Sequence, residues 1–449
     1  MKATVAEKVG RTWVGPVVVG ALARIVVWAL GLSQQTYLSR DTHGYWSLSE
    51  DLLSAYDGTD PALLETALLR PPGYPAILSF FRAVGDSYAT AALLQSLVGV
   101  GAVFLTYQLA LRLAGASVAP VAAWWVAVDP LLVVQSSVLL TETVFSVLML
   151  AALVPLTPLT RTSPGNLAAW RWAIAGLLVA AATFVRPISL YFPILVLLVG
   201  IFVALLHNRL RLIYGILLFL ISFGLSVGAW FSHNYSLTGM PAFSTVQGVN
   251  LALYRAVGAM IHEEGVSRNE ARREMRRLVE AETTPQMNPA EVAAIETRVG
   301  VREILERPRG YIVSATRGSI YTLFGPGRAD IRERLSTGRW AIIAPPLVVL
   351  SIASAVGMAL CAAVGVWHLI RRRTWAPLLL LGLPVTYLLL IGSGQESEAR
   401  FRVPLVPMIA ILAGIGAVGM LRSMRDEASR NEARSPTPRI FRRRGPNSH

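Results

Sequence analysis

An aspartate and a proline-rich turn that carries an arginine follow the first apolar stretch of the chain. Asp41 lies in the sequence Ser-Arg-Asp-Thr-His-Gly-Tyr-Trp at 39–46, and the turn Arg-Pro-Pro-Gly-Tyr-Pro follows at 70–75. Neither motif is needed to cross a bilayer. A carboxylate can act as a general base, so this pairing predicts chemistry at one face of a membrane, with Asp41 as the base.

Further ionisable residues lie within or at the ends of apolar stretches, where charge is costly and usually functional. Glu142 begins the fourth stretch, Arg186 precedes a proline at the end of the fifth, and Asp129 precedes a proline in the third. A functional role is favoured for Glu142 and Arg186 over a plain structural ion pair. An Asp-Pro pair is typical of a helix start, so Asp129 is interpreted as structural. Arg24 is left open between snorkelling to the surface and pairing with a carboxylate.

Arginines near the last apolar stretch predict a phosphate site. The segment 395–407 reads Gln-Glu-Ser-Glu-Ala-Arg-Phe-Arg-Val-Pro-Leu-Val-Pro, with Arg400 and Arg402 on either side of an aromatic residue. This could be an ordinary charged loop, but the planar fork of an arginine matches phosphate oxygens. We therefore expect Arg186, Arg400 and Arg402 to bind a lipid-linked phosphate. Arg70 either reaches the same site or anchors its own loop.

Two neighbours of Asp41 are weaker candidates for the same site. Tyr45 follows Asp41 by about one helical turn, so both side chains would face one side if this segment is helical. His43 is either a site residue or an ordinary surface residue.

The composition predicts a membrane protein. Of 449 residues, 54% are hydrophobic and 15% are charged, whereas soluble proteins carry about a quarter charged residues; the mean hydropathy is +0.52. The net charge of +14 is not interpreted as a nucleic-acid signal, because the arginines fall mostly in predicted cytoplasmic loops and tails. The single cysteine, Cys361, lies in an apolar stretch and is interpreted as a packing residue.

Ten apolar stretches near the ~20 residues that cross a hydrocarbon core predict an all-α polytopic membrane protein. The predicted spans are 13–32, 88–111, 118–134, 138–158, 170–186, 188–206, 212–231, 340–369, 376–391 and 403–421. Basic residues in alternate short loops place both termini in the cytoplasm by the positive-inside rule. The basic tail, 422–449, is predicted to be disordered.

Three segments then lie on the outer face, at 33–87, 232–339 and 392–402. The longest is predicted to carry charged helices over 267–282 and 289–306, separated by prolines, as a small solvated cap. In this topology Asp41, Glu142 and Arg186 share one depth at the outer face. Shared depth does not by itself bring them together laterally.

Four of these stretches together resemble the bacterial membrane glycosyltransferases of the GT-C class, in particular the family 39-like group related to protein O-mannosyltransferases and lipid A aminoarabinose transferases. They are Arg40-Asp41-x-x-x-Tyr45, the 70–75 turn, the Leu-Leu-Thr-Glu-Thr segment with Glu142, and Glu398-Ala-Arg-Phe-Arg-Val-Pro404. The segments 234–239 and 244–251 are similar to the start of that family's large outer loop. The resemblance implies a GT-C-like helical bundle over 1–421, with extracytoplasmic loops that carry short helices.

The resemblance also implies a hexosyl- or pentosyltransferase in the bacterial cytoplasmic membrane. It would transfer a sugar from a polyprenyl-phosphate donor to a glycolipid, polysaccharide or protein acceptor at the outer face. Asp41 is implied as the base or as the residue that orients the acceptor, and Glu142 as an aid to substrate positioning. Relatives often have Asp where Glu142 stands and an acidic pair where Asp41 stands alone, so no cofactor is indicated, although a divalent metal is left open. Membrane lipids are expected partners; nucleic acid is not.

Two other functions stay open at this point. A secondary transporter is compatible with ten spans and intramembrane charges. Transporters usually bind near the midplane between paired halves, whereas here the charges cluster at one face and no halves match. A noncatalytic, lipid-binding scaffold with the same fold is the other alternative, and loss of activity with retained lipid binding in Asp41→Asn would separate it from an enzyme.

Overall fold

The computed structural model describes residues 12–32, 35–51, 61–160, 168–206, 211–335 and 342–434, and in these ranges the regular structure is helical. The α-helices are α1 Val14–Gly31, α2 Thr42–Asp51, α3 Pro61–Leu69, α4 Gly73–Val84, α5 Tyr88–Ala114, α6 Ala119–Val128, α7 Pro130–Ser136, α8 Thr141–Leu153, α9 Ala169–Val185, α10 Phe192–Leu206, α11 Arg211–Thr238, α12 Val246–Asn250, α13 Val257–Glu264, α14 Arg268–Glu280, α15 Pro289–Glu306, α16 Pro308–Phe324, α17 Arg328–Leu335, α18 Ala344–Arg371, α19 Trp375–Ile391 and α20 Val406–Arg434. A π-helical turn, Leu251–Ala256, joins α12 to α13, and short 3₁₀ turns occupy Val154–Thr160, Pro187–Ser189 and Ala399–Arg402.

The predicted spans fall on helices. Within the described residues, six helices are long and apolar enough to cross a membrane, and the bent pair α6–α7 makes a seventh if it is counted as one span. Shorter apolar helices at α8, α9 and α19 occupy the three remaining predicted spans. The prediction of an all-α, multi-pass membrane protein is therefore confirmed.

The third span differs from its prediction. The predicted span over 118–134 is present as two helices, α6 and α7, which meet at a 61° bend. Asp129 has an extended backbone there, with φ −60° and ψ 119°. The proline that follows disfavours a helical conformation for Asp129 and removes a backbone N–H. The Asp129 side chain instead accepts hydrogen bonds from the backbone N–H groups of Leu131 and Leu132, as the cap of α7.

Some helix ends also differ from their predictions. Helix α20 continues past 421 to Arg434, so residues 422–434 are helical where a disordered tail was predicted. This stretch is rich in Arg, Glu and Ala, which favour helix. The rest of that tail, 435–449, lies outside the described residues.

Three segments emerge on one side of the bundle, which we call the loop face. They connect α1 to α5, α11 to α18, and α19 to α20. The proline-rich turn at 70–75 leads into α4, a separate helix with an apolar side packed on the core through Tyr74, Leu78 and Phe81.

The cap predicted in the long segment is present. Helix α14 begins at a capping box of Ser267 and Glu270, and α15 begins at one of Asn288 and Glu291. Such boxes satisfy backbone N–H groups that a helix start leaves unpaired. The two helices bury a small core apart from the bundle, which includes Ala256, Met260, Met275, Ile295 and Val299.

Small residues bring α18 and α20 together. A side chain at Gly365 would meet the Leu412 carbonyl, and one at Gly416 would meet the carbonyl of Cys361. Close approach through small residues is typical of packing between membrane helices. The contact holds α20 closely against α18.

Candidate functional site

Carboxylates and guanidinium groups from separate parts of the chain meet at the loop face. Asp41 Oδ1 lies 3.1 Å from Arg70 Nη2, and its Oδ2 lies 3.9 Å from Arg400 Nη2. Glu142 Oε1 lies 2.7 Å from Arg186 Nη1 and 3.7 Å from Arg400 Nε. Arg400 therefore links the two carboxylates. With Glu398, which also contacts Arg400, these residues form what we call the charged cluster: Asp41, Glu142, Glu398, Arg70, Arg186 and Arg400.

The charged cluster has a buried floor and an open rim. The Glu142 side chain is 5% exposed, whereas that of Asp41 is 44% exposed. Glu142 lies in the first turn of α8, where the partial positive charge of a helix N-terminus favours a carboxylate. Asp41 is therefore accessible from the loop face.

Backbone contacts place Asp41 next to Glu142. The backbone N–H of Leu139 donates to the Tyr37 carbonyl at 3.0 Å. The Thr42 hydroxyl donates to the Leu139 carbonyl, also at 3.0 Å. The segment that ends at Asp41 is thus fastened to the segment that starts α8.

A glycine allows Arg70 to reach Asp41. A Cβ atom at Gly44 would lie 2.8 Å from Arg70 Nε. The Arg70 guanidinium stacks on the ring of Tyr45 at 4.3 Å, so Tyr45 faces the cluster, as its spacing from Asp41 predicted. Burial raises the pKa of the Tyr45 hydroxyl, and the charge of Arg70 opposes this only in part. Tyr45 therefore stays neutral around pH 7.

Helix α4 approaches the segment that carries Arg186. A Cβ atom at Gly73 would lie 2.6 Å from the backbone carbonyl carbon of Phe184. The next residue, Tyr74, donates from its hydroxyl to Gln95 Oε1 at 2.7 Å, and the Gln95 amide donates to the Val138 carbonyl. The proline-rich turn thus joins the end of α9 to the start of α8.

Arg186 lies between α9 and a 3₁₀ turn, and its backbone is extended, with φ −146° and ψ 114°. The residue before a proline is biased towards this conformation. Tyr387 fixes the turn, because its hydroxyl donates to the Ile188 carbonyl at 2.7 Å and accepts from the Tyr191 N–H at 3.2 Å. The Arg186 guanidinium lies over the ring of Phe401, 4.7 Å from its centre.

Two residues of the cluster's surroundings were not among the predicted site residues. Glu398 Oε2 lies 2.5 Å from Arg400 Nε, and Phe401 lies beneath Arg186. Burial raises the pKa of Glu398, and nearby Arg400 partly opposes this. Both residues belong to the Glu-Ala-Arg-Phe-Arg motif, so the motif itself was the available signal.

Other predicted site residues lie elsewhere. Arg402 is 1% exposed, and it donates to the Gly325 carbonyl and to Ser351 Oγ, the latter at 2.6 Å. His43 is exposed and packs edge-on against Tyr88, 6.3 Å between ring centres. The structure thus brings together Asp41, Glu142, Arg70, Arg186, Arg400 and Tyr45, but neither Arg402 nor His43.

The donor set of the cluster does not fit a divalent metal. Within the described ranges, no three His, Cys, Asp or Glu side chains are grouped so that they could hold an ion. The carboxylates of Asp41 and Glu142 face guanidinium groups instead. A cation would have to displace these arginines.

The fold is similar to that of the oligosaccharyltransferase AglB from Archaeoglobus fulgidus. The complex of that protein with an inhibitory peptide and a dolichol-phosphate matches at a TM-score of 0.50 and 14% identity, over 95% of this chain and 52% of that chain. The apo form matches at 0.52 and 14%, over 94% and 52%. ArnT from Cupriavidus metallidurans bound to undecaprenyl phosphate matches at 0.40 and 17%, over 95% and 82%. No protein-family model and no curated protein matches the sequence.

The archaeal similarity confirms the GT-C fold predicted from the sequence. At 14% identity it is a likeness of fold. The chain spans about half the length of the archaeal protein.

Proposed function

We propose that this protein is a glycosyltransferase that moves a sugar from a polyprenyl-phosphate donor to an acceptor, with the charged cluster as its active centre. The observation that carries the proposal is the convergence of Asp41, Glu142 and Arg400 at the loop face of the bundle. The archaeal protein of the same fold is named as an oligosaccharyltransferase and has been seen with a dolichol-phosphate, which supports a lipid-phosphate donor here.

Arg400 and Arg186 are proposed to bind the donor phosphate. Arg400 Nε is a buried donor without an aligned hydrogen-bond acceptor, although carboxylate oxygens lie near it. A phosphate oxygen would supply that acceptor. Guanidinium groups held in place before reaction offset the charge that develops on a leaving phosphate.

A small apolar crevice, with room for about one water molecule, adjoins these arginines. It is lined by Phe145, Ile188, Leu388, Phe401 and Pro404, with Arg186 at its edge. We propose that the donor's lipid chain meets the cluster here, which requires the crevice to widen.

Asp41 is proposed to take the proton of the acceptor hydroxyl. As the acceptor oxygen bonds to the anomeric carbon, the bond from that carbon to the phosphate oxygen breaks, and the lipid phosphate leaves on the arginines. The hydrogen bond from Arg70 at 3.1 Å orients the carboxylate, and its 44% exposure leaves it open to an acceptor. General-base catalysis of this kind contributes about 10²–10⁴-fold.

Glu142 is proposed to position the arginines rather than to transfer protons. Its side chain is nearly buried and lies within 4 Å of both Arg186 and Arg400. Removing one partner of a buried ion pair leaves an uncompensated charge. Glu142 thus fixes the distance between the guanidinium groups of Arg186 and Arg400, which are proposed to bind the phosphate.

The loop face is proposed to be extracytoplasmic. Arg112, Arg171 and the run Arg371, Arg372 and Arg373 lie at helix ends on the opposite side, which the positive-inside rule assigns to the cytoplasm. Both chain ends would then be cytoplasmic.

Mass spectrometry of surface glycolipids and glycoproteins tests the proposal in cells that lack the protein. We expect a sugar modification to disappear, to return with the wild-type chain, and not to return with Asp41→Asn. An unchanged set of surface glycans in the deletion strain would contradict a transferase function.

A further inference from the structure

Arg400 is surrounded by carboxylates but lacks a full set of hydrogen bonds. Glu398 lies 2.5 Å from its Nε, Glu142 3.7 Å from its Nε, and Asp41 3.9 Å from its Nη2. The same Nε is buried and has no aligned acceptor. The guanidinium is thus balanced in charge while part of its hydrogen-bonding capacity is unused.

Of these three carboxylates, Glu398 is the one least tied to its position. Glu142 is 5% exposed and is held by Arg186, and Asp41 is held by a hydrogen bond from Arg70. Glu398 is 51% exposed, and the negative groups of Asp330 and Glu142 act against its ionised form. It can turn towards solvent without leaving a buried charge behind.

Movement of the Glu398 carboxylate would change the net charge around Arg400. The cluster holds three carboxylates and three guanidinium groups. A phosphodiester donor adds a negative charge to a set that is already neutral, and Asp330 adds a further negative charge nearby. Binding is favoured if one carboxylate withdraws from its arginine as the phosphate arrives.

We propose that Glu398 is an internal anion that occupies Arg400 in the empty site and yields it to the donor phosphate. This rests on the proposed function. After transfer, the lipid phosphate has become a monoester, whose charge at pH 7 is about −1.5 to −2. The returning Glu398 carboxylate competes with that product for Arg400 and favours its release. Glu398 is therefore a positioning residue that sets donor affinity and product release.

The test measures binding of undecaprenyl phosphate to the full-length protein in lipid nanodiscs. Glu398→Gln keeps the size of the side chain and removes the competing charge, so affinity should rise roughly tenfold, the scale of one charge-assisted hydrogen bond. In a transfer assay, the donor KM should fall and inhibition by undecaprenyl phosphate should strengthen, without a rise in kcat. Glu398→Ala should shift affinity in the same direction.

Glu396→Gln is the matched control. Glu396 lies in the same loop, but it pairs with Arg255 at 3.0 Å, and its replacement should leave affinity unchanged. If the wild-type protein binds undecaprenyl phosphate and Glu398→Gln binds it with equal or weaker affinity, this inference is overturned. The proposed function then still stands. No binding of undecaprenyl phosphate to the wild-type protein would overturn the proposed function, and this inference with it.

Discussion

Arg24 shows how a charged side chain is accommodated inside an apolar span. It is 1% exposed and donates to the carbonyls of Gly20, Val126 and Ala127. The last two are carbonyls at the end of α6, which the bend at Asp129 leaves without helical partners. The sequence left open snorkelling or pairing with a carboxylate, and the hydrogen bonds that Arg24 makes are instead to main-chain carbonyls. These hydrogen bonds satisfy carbonyls that the bend exposes.

At Asp41, exchange for asparagine tests the proposed base. Asp41→Asn keeps the size of the side chain and an oxygen for Arg70, so donor binding should be nearly unchanged. Transfer should fall about 10²–10⁴-fold, because the proton acceptor is lost. The measurement is the rate of sugar transfer by purified protein, alongside affinity for undecaprenyl phosphate.

Asp86→Asn is the control for that exchange. Asp86 is 65% exposed on the same face and pairs with Arg82 at 2.7 Å. Its replacement therefore removes one negative charge, as Asp41→Asn does, but at a position outside the cluster. Activity of Asp41→Asn within about twofold of wild type would exclude Asp41 as the base.

Arg400→Ala is the cleaner test of phosphate binding. It leaves Glu142 paired with Arg186 and Asp41 paired with Arg70, whereas Arg186→Ala would strand the buried Glu142 carboxylate and destabilise the fold. Donor affinity should fall roughly tenfold or more, since a hydrogen bond to a charged group contributes about 1.5–3 kcal/mol. The acceptor KM should change less.

Arg422→Ala is the control. Arg422 is exposed and contacts Ser117 on the opposite side of the bundle, so its replacement should leave the donor affinity and the acceptor KM unchanged. Equal donor affinity in Arg400→Ala and wild type would argue against recognition of the phosphate by Arg400.

At the scale of elements, two glycines set distances within the site by different means. At Gly44 the nearest obstacle to a Cβ atom is the Arg70 side chain, at 2.8 Å. At Gly73 it is the backbone of Phe184, at 2.6 Å. A flexible side chain can move aside at little cost, but packed backbones cannot. The first glycine governs where a guanidinium lies, and the second governs how closely two segments pack.

Gly44→Ala should therefore lower activity without unfolding the protein. Displacement of Arg70 would leave Asp41 without its hydrogen bond, and transfer should fall by roughly tenfold. Gly73→Ala should instead lower thermal stability, because overpacking costs about 1–3 kcal/mol. Gly101→Ala, with no atom within 4 Å of the new Cβ, is the control for both. Full activity in Gly44→Ala would show that the position of Arg70 does not matter.

At the scale of the whole molecule, orientation and function are linked. The cap and the charged cluster lie on one face, because Ser244 and Thr245 hydrogen-bond the carbonyls of Leu69 and Leu68, next to Arg70. The cap and Asp41 therefore lie on the same side of the membrane, whichever side that is.

Thiol labelling in intact cells tests this orientation. In a chain with Cys361→Ala, Gln286→Cys in the exposed cap should react with an impermeant reagent, and Arg372→Cys should react only after lysis. Asn288 is avoided, because its side chain caps α15. The reverse pattern would place the cluster in the cytoplasm and end the proposal of transfer at the outer face.

The sequence by itself determined the features that depend on neighbouring residues. Apolar stretches set the spans, Asp129 before a proline indicated a helix start, and the charged stretch 267–282 predicted a helix of the cap. These signals are local, because each depends on backbone geometry or hydrogen bonding within a few residues.

Only the tertiary structure decided which charged residues meet. The sequence predicts the same depth for Asp41 and Glu142. They become neighbours because the Thr42 hydroxyl donates a hydrogen bond to the Leu139 carbonyl. Arg400 and Arg402 stand in one short turn, yet only Arg400 contacts the carboxylates, while Arg402 points to Gly325 and Ser351. Lateral convergence depends on packing between segments far apart in the chain, and no local pattern specifies it.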